Sequence, residues 1–169
     1  EVMDVIGAGS EFAKSQIAGS EFGGVVHGGT YTANLVALSA ANATLQVLAE
    51  TDALETVSQA GAAIRALLGR VFTAAGIEHC FAGPAAMFGV HFSKTVPTNY
   101  RDWRSTDSEL YAAFAWNLIG HGVMLEPDSR EPWFICEAHT DVDLSWLETV
   151  ATQAMQDAIV AQKTARTEG

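Results

Sequence analysis

The sequence predicts an α/β chain: a small antiparallel sheet covered by helices, preceded by a long helix. Three observations lead there. Apolar residues recur at three- and four-residue steps over two long stretches in the first half. After Gly83-Pro84 the pattern changes to alternation, with Phe88, Val90 and Phe92 on one side of a strand. Two further helix-period stretches are then interleaved with short apolar runs. A strand–helix–strand–strand–helix order of this kind suits a two-layer domain.

The elements follow in order. The first 29 residues are rich in Gly, Ala and Ser without a steady period, and read as loop with at most one helical turn. Their echo, Ala8-Gly9-Ser10-Glu11-Phe12 and Ala18-Gly19-Ser20-Glu21-Phe22, is too short for a repeat architecture. A helix is predicted from Thr32 to Glu50, with Leu35, Leu38, Ala41, Leu45 and Leu48 on one face. A second begins after Asp52, which with Glu55 forms a capping box. Val57, Ile64, Leu68 and Val71 line its inner face, and Gly76 stops it. Met87–Phe92 is the first strand, and a polar loop runs from Pro97 to Arg104. Thr106-Asp107-Ser108-Glu109 is a capping box for a helix carrying Leu110, Phe114 and Leu118 inward, ended by Gly120 and Gly122. Two short strands are expected at Val123–Leu125 and Trp133–Cys136. Thr140 then caps a last helix with Leu144, Leu147, Ala151 and Ala154 facing inward, and the tail from Gln162 is expected to fray.

Composition bounds the function. The 169 residues are 49% hydrophobic and 17% charged, as in a soluble globular domain with an ample core. A net charge of −11 argues against nucleic acid and anionic membranes as partners, because phosphate binding needs clustered Lys and Arg. No apolar run reaches the roughly 18 residues of a membrane span. Glu1-Val2-Met3-Asp4 has neither the basic start nor the apolar stretch of a signal peptide. Cys80 and Cys136 read as core residues of a protein kept reduced, so a cytoplasmic location is expected.

Most chemical motifs fail on inspection. Val5-Ile6-Gly7-Ala8-Gly9 places Phe12 where a dinucleotide loop needs a third small residue, and the acid that should follow about 20 positions on is missing. His27, His79, His91, His121 and His139 show no metal-ligand spacing, and there is no Gly-x-Ser-x-Gly elbow. The segment His27-Gly28-Gly29-Thr30-Tyr31-Thr32-Ala33-Asn34 is more informative. Two glycines, then hydroxyl residues, then a helix start make a loop whose amides and threonine hydroxyl can donate to a phosphate. The same residues are also an ordinary way to begin a helix, and the pattern alone leaves both readings open.

Gly29-Thr30-Tyr31-Thr32-Ala33-Asn34, ahead of an Ala-rich helix, resembles a signature of the class III aminotransferases and the glutamate-1-semialdehyde aminomutases, with Leu35 in place of the usual proline. Gly122-Val123-Met124-Leu125-Glu126-Pro127, then Glu131, then Ala138-His139-Thr140-Asp141 resembles that family's closing pattern, and Glu1-Val2-Met3-Asp4 the segment that trails its cofactor lysine. The resemblance implies the C-terminal small domain of a fold-type I enzyme dependent on pyridoxal 5′-phosphate (PLP), preceded by a long interdomain helix. On this basis residues 1–31 are a cofactor-loop remnant of the large domain, 32–76 the interdomain and following helices, and 77–169 the small domain. It implies that Thr30, with the amide of Gly29, holds the PLP phosphate of the neighbouring subunit of a homodimer. It implies that Glu131 stands at the entrance for a small amino or keto substrate, flanked by Arg130 and Trp133, which depart from the family pattern.

Amino-group transfer on PLP needs a Schiff-base lysine and an acid at the pyridine nitrogen. Lys14, Lys94 and Lys163 match no such position. No catalytic residue is therefore assigned, and the chain alone is expected to be inactive. The rival reading is an α/β binding or interaction module that keeps this scaffold without its chemistry.

Overall fold

The computed structural model describes residues 29–167. The readings placed on residues 1–28, including the Ala-Gly-Ser-Glu-Phe echo, the rejected dinucleotide loop and Lys14, lie outside the described residues. Residues up to Ala49 form one unit and residues from Glu50 another.

In the first unit a turn leads into α1, Leu35–Glu50. The helix starts at Leu35, three residues later than predicted, because Asn34 is its cap: Asn34 Oδ1 accepts from the amide of Ala37 at 3.0 Å. The apolar face read from the sequence is present, but no residue of α1 is buried, and Leu35, Leu38 and Leu45 are all exposed.

The second unit begins with α2, Ala53–Ala74. Ile64, Leu68 and Val71 are buried as predicted, joined by Leu67 and Phe72. The Asp52 capping box does not form. Asp52 makes no side-chain cap, and Glu55 instead accepts from Gln59 one turn on. Gly76 does end the helix: its amide bonds Thr73 O and the amide of Ile77 bonds Phe72 O, the paired bonds of a Schellman turn.

The sheet has three antiparallel strands in the order β1 (Cys80–Ala82), β2 (Met87–His91), β3 (Trp133–Phe134). β1 was not anticipated. Its three residues pair with β2 in the register Cys80↔His91 to Ala82↔Gly89. β3 pairs Met87↔Phe134 and Phe88↔Trp133, and is shorter than the predicted Trp133–Cys136. Val123–Leu125 is not a strand. Val123 and Leu125 still pack against the core while Met124 is 96% exposed, so the alternation is real but has no ladder partner.

The polar loop contains one helical turn, α3 (Tyr100–Trp103), capped by Asn99. α4, Ser108–Gly120, buries Leu110, Phe114 and Leu118 as expected, plus Tyr111 and Ala115. Its cap is Asp107, which accepts from the Leu110 amide at 3.0 Å, and not Thr106, whose hydroxyl bonds Trp103 O. α4 ends in a second Schellman turn: the amides of Gly122 and Val123 bond Ile119 O and Leu118 O. Gly122 sits at φ +89°, a left-handed conformation that only glycine adopts without strain.

A 3₁₀ turn at Glu137–Asp141 precedes α5, Leu144–Thr167. Thr140 belongs to that turn, and the last helix is capped by Asp143, which accepts from the amides of Ser145 and Trp146. Leu147, Ala151 and Ala154 are buried as predicted, with Met155 and Ala158, whereas Leu144 is 40% exposed. The helix continues past Gln162, whose side-chain amide donates to the Asp107 carboxylate at 2.9 Å and ties the last helix to the start of α4.

α5 packs on α4 and α2, and the sheet closes the core through Phe88 and Val90, with Phe92 just past the end of β2. Phe72 is the aromatic hub, meeting His79, Phe92 and Phe114 edge-on at 5.0–5.3 Å. None of the described helices is long and apolar enough to cross a membrane.

Candidate functional site

A cleft of about 740 Å³ opens in the second unit. The segment after α4 forms one wall, with Val123, Leu125 and Glu126; β3 and Glu131 form another. His139 of the 3₁₀ turn and Trp146 and Leu147 of α5 complete it. Glu131, singled out in the sequence, therefore stands on the rim of this cleft and is exposed.

The loop that carries Glu131 is fixed by its neighbours. Ser129 is 3% exposed, and its hydroxyl accepts from Trp103 Nε1 at 2.8 Å. Arg130 lies over the Trp103 ring, 5.0 Å from its centre, and clasps the Asp128 carboxylate with Nε at 2.9 Å. These bonds hold the Asp128 carboxyl below its usual range, so it stays ionised. The departure of Arg130 and Trp133 from the family pattern thus has a structural outcome: both brace the cleft wall.

Trp133 does so through Tyr111. Trp133 Nε1 donates to the Tyr111 hydroxyl at 3.0 Å, and that hydroxyl donates to the carbonyl of Glu126 at 3.1 Å. The phenol links β3 to the segment after α4, the two facing walls. Burial pushes its pKa up to about 12; the Trp133 hydrogen bond opposes the shift, and the charges of Asp128 and Glu126 add to it. It therefore acts as a fixed hydrogen-bonding strut and not as a proton carrier near neutral pH. Tyr111 escaped the sequence reading because it sits beside the i, i+4 stripe of α4; its one signal was a polar aromatic next to a core position.

Cys136 is exposed, which corrects the expectation that both cysteines are core residues; Cys80 is half-buried. The amide of Cys136 donates to His139 Nδ1 at 3.0 Å, which ties the ring to the start of the 3₁₀ turn. Among the described residues no group of three or more His, Cys, Asp or Glu could hold a metal ion. Lys94 pairs with Glu78 at 3.2 Å, an exposed ion pair away from the cleft.

In the first unit, Thr32 N–H bonds Gly29 O at 3.0 Å and Asn34 N–H bonds Tyr31 O at 3.1 Å. Ala33 takes φ +60° to complete the turn. Gly29 and Thr30 are exposed, and the Thr30 hydroxyl has no partner among the described residues. A Cβ at position 29 would stand 3.2 Å from Thr32 Oγ1, so glycine keeps this turn uncrowded. The turn thus presents a free hydroxyl donor beside small residues, the chemistry a phosphate oxygen requires.

No family model matches the chain. Individual proteins do. The glutamate-1-semialdehyde 2,1-aminomutase of Laribacter hongkongensis is 34% identical over 134 residues, covering 78% of this chain and 31% of that protein. Glutamate-1-semialdehyde 2,1-aminomutase 2 of Brevibacillus brevis is 30% identical over 136 residues, 80% of this chain and 32% of its own length. Among solved structures, the PLP internal aldimine form of the FumI protein from Sphingopyxis sp. MTA144 superposes with a TM-score of 0.66 at 27% identity, over 83% of this chain and 31% of that one. A transaminase with PLP bound shares the fold at a TM-score of 0.65 and 20% identity. The chain spans about a third of the length of the curated relatives it matches. By sequence and by fold, the chain resembles about a third of the length of the glutamate-1-semialdehyde 2,1-aminomutases and of fold-type I PLP transaminases.

Proposed function

We propose that this chain supplies the small domain and preceding helix of a PLP-dependent enzyme that moves an amino group, either between amino and keto substrates or within one molecule. The observation that carries the proposal is agreement between the likeness in sequence and the likeness in fold. The sequence matches aminomutases over 78% of its length, and the fold matches the PLP-bearing FumI protein over 83%. Glu131 on the rim of the cleft supports it further.

When bound, PLP supplies the electron sink for amino-group chemistry, which no side chain can provide. This chain's residues do the rest. Thr30 donates its free hydroxyl, with the amide of Gly29, to the phosphate of the neighbouring subunit's PLP. Glu131 attracts the substrate's ammonium or a facing arginine to the entrance. The Tyr111–Trp133 strut holds the two cleft walls at a set separation. No lysine of this chain is assigned as the Schiff-base lysine: Lys94 and Lys163 do not line the cleft, and Lys14 matches no such position in the family.

The full-length protein, purified and incubated with PLP, is the test. A visible absorbance band that shifts on adding an amine donor is the expected result. No band at any PLP concentration would overturn the proposal and leave the scaffold as a binding module.

A further inference from the structure

Trp103, the last residue of α3, meets the loop that carries Glu131 twice. Its indole Nε1–H donates to Ser129 Oγ at 2.8 Å, and Ser129 is buried. Its ring seats the Arg130 guanidinium at 5.0 Å. Among the described residues, the bond from Trp103 is the one hydrogen bond that joins residues 127–132 to another element; the amides of Arg130 and Glu131 turn back on Asp128. α3 is anchored in turn. Asn99 Oδ1 accepts from the amides of Arg101 and Asp102, and the Asp102 carboxylate accepts from the Thr98 hydroxyl at 2.7 Å and from Asn99 Nδ2 at 2.9 Å. Tyr100 stacks on the Trp103 ring at 5.3 Å. No residue of α3 lines the cleft, so α3 acts on the cleft through this loop or not at all.

We propose that Trp103 is the positioning residue of the cleft entrance: through Ser129 and Arg130 it sets where the Glu131 carboxylate stands. This rests on the reading of Glu131 as the entrance residue. Two physical effects follow from the contacts. The Ser129 hydroxyl has no other donor, so without the indole N–H a buried acceptor goes unmet and the turn at residues 128–131 loses its tie. Glu131 then samples a wider arc with its charge unchanged. The ring also decides which carboxylate Arg130 serves. Asp128 holds that guanidinium chiefly, by hydrogen bond and by charge, and Glu131 attracts it more weakly. Seated on Trp103, Arg130 stays with Asp128 and leaves Glu131 its negative charge. Released from the ring, the same guanidinium can turn to its neighbour and cancel the charge that the entrance presents. Trp103 touches neither the cleft nor its contents, so its effect falls on capture of the substrate and not on the chemical step.

The test uses the full-length protein. Trp103→Phe keeps a ring beneath Arg130 and loses the Nε1 donor; Ser129→Ala removes the acceptor from the other side. Amide hydrogen exchange read by mass spectrometry reports on the loop directly. Pro127 and Pro132 have no amide, so the signal between them comes from Asp128, Ser129, Arg130 and Glu131 alone. Both variants are expected to exchange there about 3- to 10-fold faster, as the loss of one hydrogen bond allows, with α4 and α5 unchanged. KM for the amine donor should rise by about the same factor, while kcat stays within about twofold. In a Glu131→Gln background, Trp103→Phe should raise KM no further, because a residue that acts through Glu131 has nothing left to place. Unchanged exchange in the loop, an unchanged KM, or the same rise in KM with and without Glu131 each overturns the proposal. A parent protein that takes up no PLP refutes the cofactor reading instead. The exchange comparison needs no turnover, and still decides whether Trp103 holds the loop.

Discussion

Replacing Tyr111 with phenylalanine removes one oxygen and keeps the buried ring, so the effect isolates the strut across the cleft. Two hydrogen bonds disappear: the one accepted from Trp133 Nε1 at 3.0 Å and the one donated to Glu126 O at 3.1 Å. A typical internal hydrogen bond contributes about 0.5–1.5 kcal/mol net, and a donor left unmet in a half-buried place costs about as much again. The Glu126 carbonyl lies near solvent and can recover a water, while the Trp133 indole is half-buried and recovers less. The sum comes to about 1.5–2.5 kcal/mol, or roughly 5–10 °C in Tm for a domain of this size. Thermal unfolding followed by circular dichroism measures it. Trp133→Phe gives the partner value, and the double variant closes the cycle with a coupling of about 0.5–1.5 kcal/mol. A Tyr111→Phe chain within 0.3 kcal/mol of the parent, or a cycle with no coupling, would refute the strut.

Other outcomes follow from the same geometry. On the proposed reading of Thr30, Thr30→Ala in the full-length protein should weaken PLP retention by about 10- to 150-fold, the equivalent of one charge-assisted bond of about 1.5–3 kcal/mol; unchanged retention on dialysis would refute that role. Burial holds the His91 imidazole below its ordinary value of 6.5, and its Nδ1 has no hydrogen-bond partner among the described residues. The unfolded chain therefore takes up that proton first, so stability is full above pH 6.5 and falls as the pH drops below it. Urea midpoints between pH 7.5 and 5 should fall less steeply for His91→Leu than for the parent, and parallel curves would count against this. Gly61→Ala should cost about 2 kcal/mol or more, because its Cβ would sit only 2.0 Å from the backbone oxygen of Ala85; a Tm within 2 °C of the parent would show that the loop yields instead.

Much of the core was legible because helical periodicity reports burial directly. Ile64, Leu68 and Val71 on α2, Phe114 and Leu118 on α4, and Leu147, Ala151 and Ala154 on α5 are where a 3.6-residue repeat puts them. Glycine stops were legible for a similarly local reason: Gly76 and Gly122 both take positive φ in Schellman turns. Caps were less so. Asp107 stands where Thr106 was expected and Asp143 where Thr140 was, since neighbouring oxygens compete and only the backbone angle decides among them. Strands were least legible. Cys80–Ala82 is too short to show a period, and Val123–Leu125 alternates correctly without an edge to pair with. At the site, Glu131 was legible through family likeness alone, because one exposed carboxylate carries no periodicity. Tyr111, Ser129 and Trp146 were not, because their roles arise from contacts across long sequence separation.

Ser129 behaves as a rivet. Its buried hydroxyl, gripped by the Trp103 indole, anchors a short strap of chain between Pro127 and Pro132 at one point. The side-chain hydrogen bonds that fix the strap are made by Asp128, Ser129 and Arg130, and Glu131 is exposed beside them. The residue at position 131 can therefore be exchanged for another charge, or for none, while the rivet, the Arg130 clasp and the Tyr111 strut persist. A scaffold built in this way lets lineages change what they admit at the cleft by a single substitution, with little loss of fold stability.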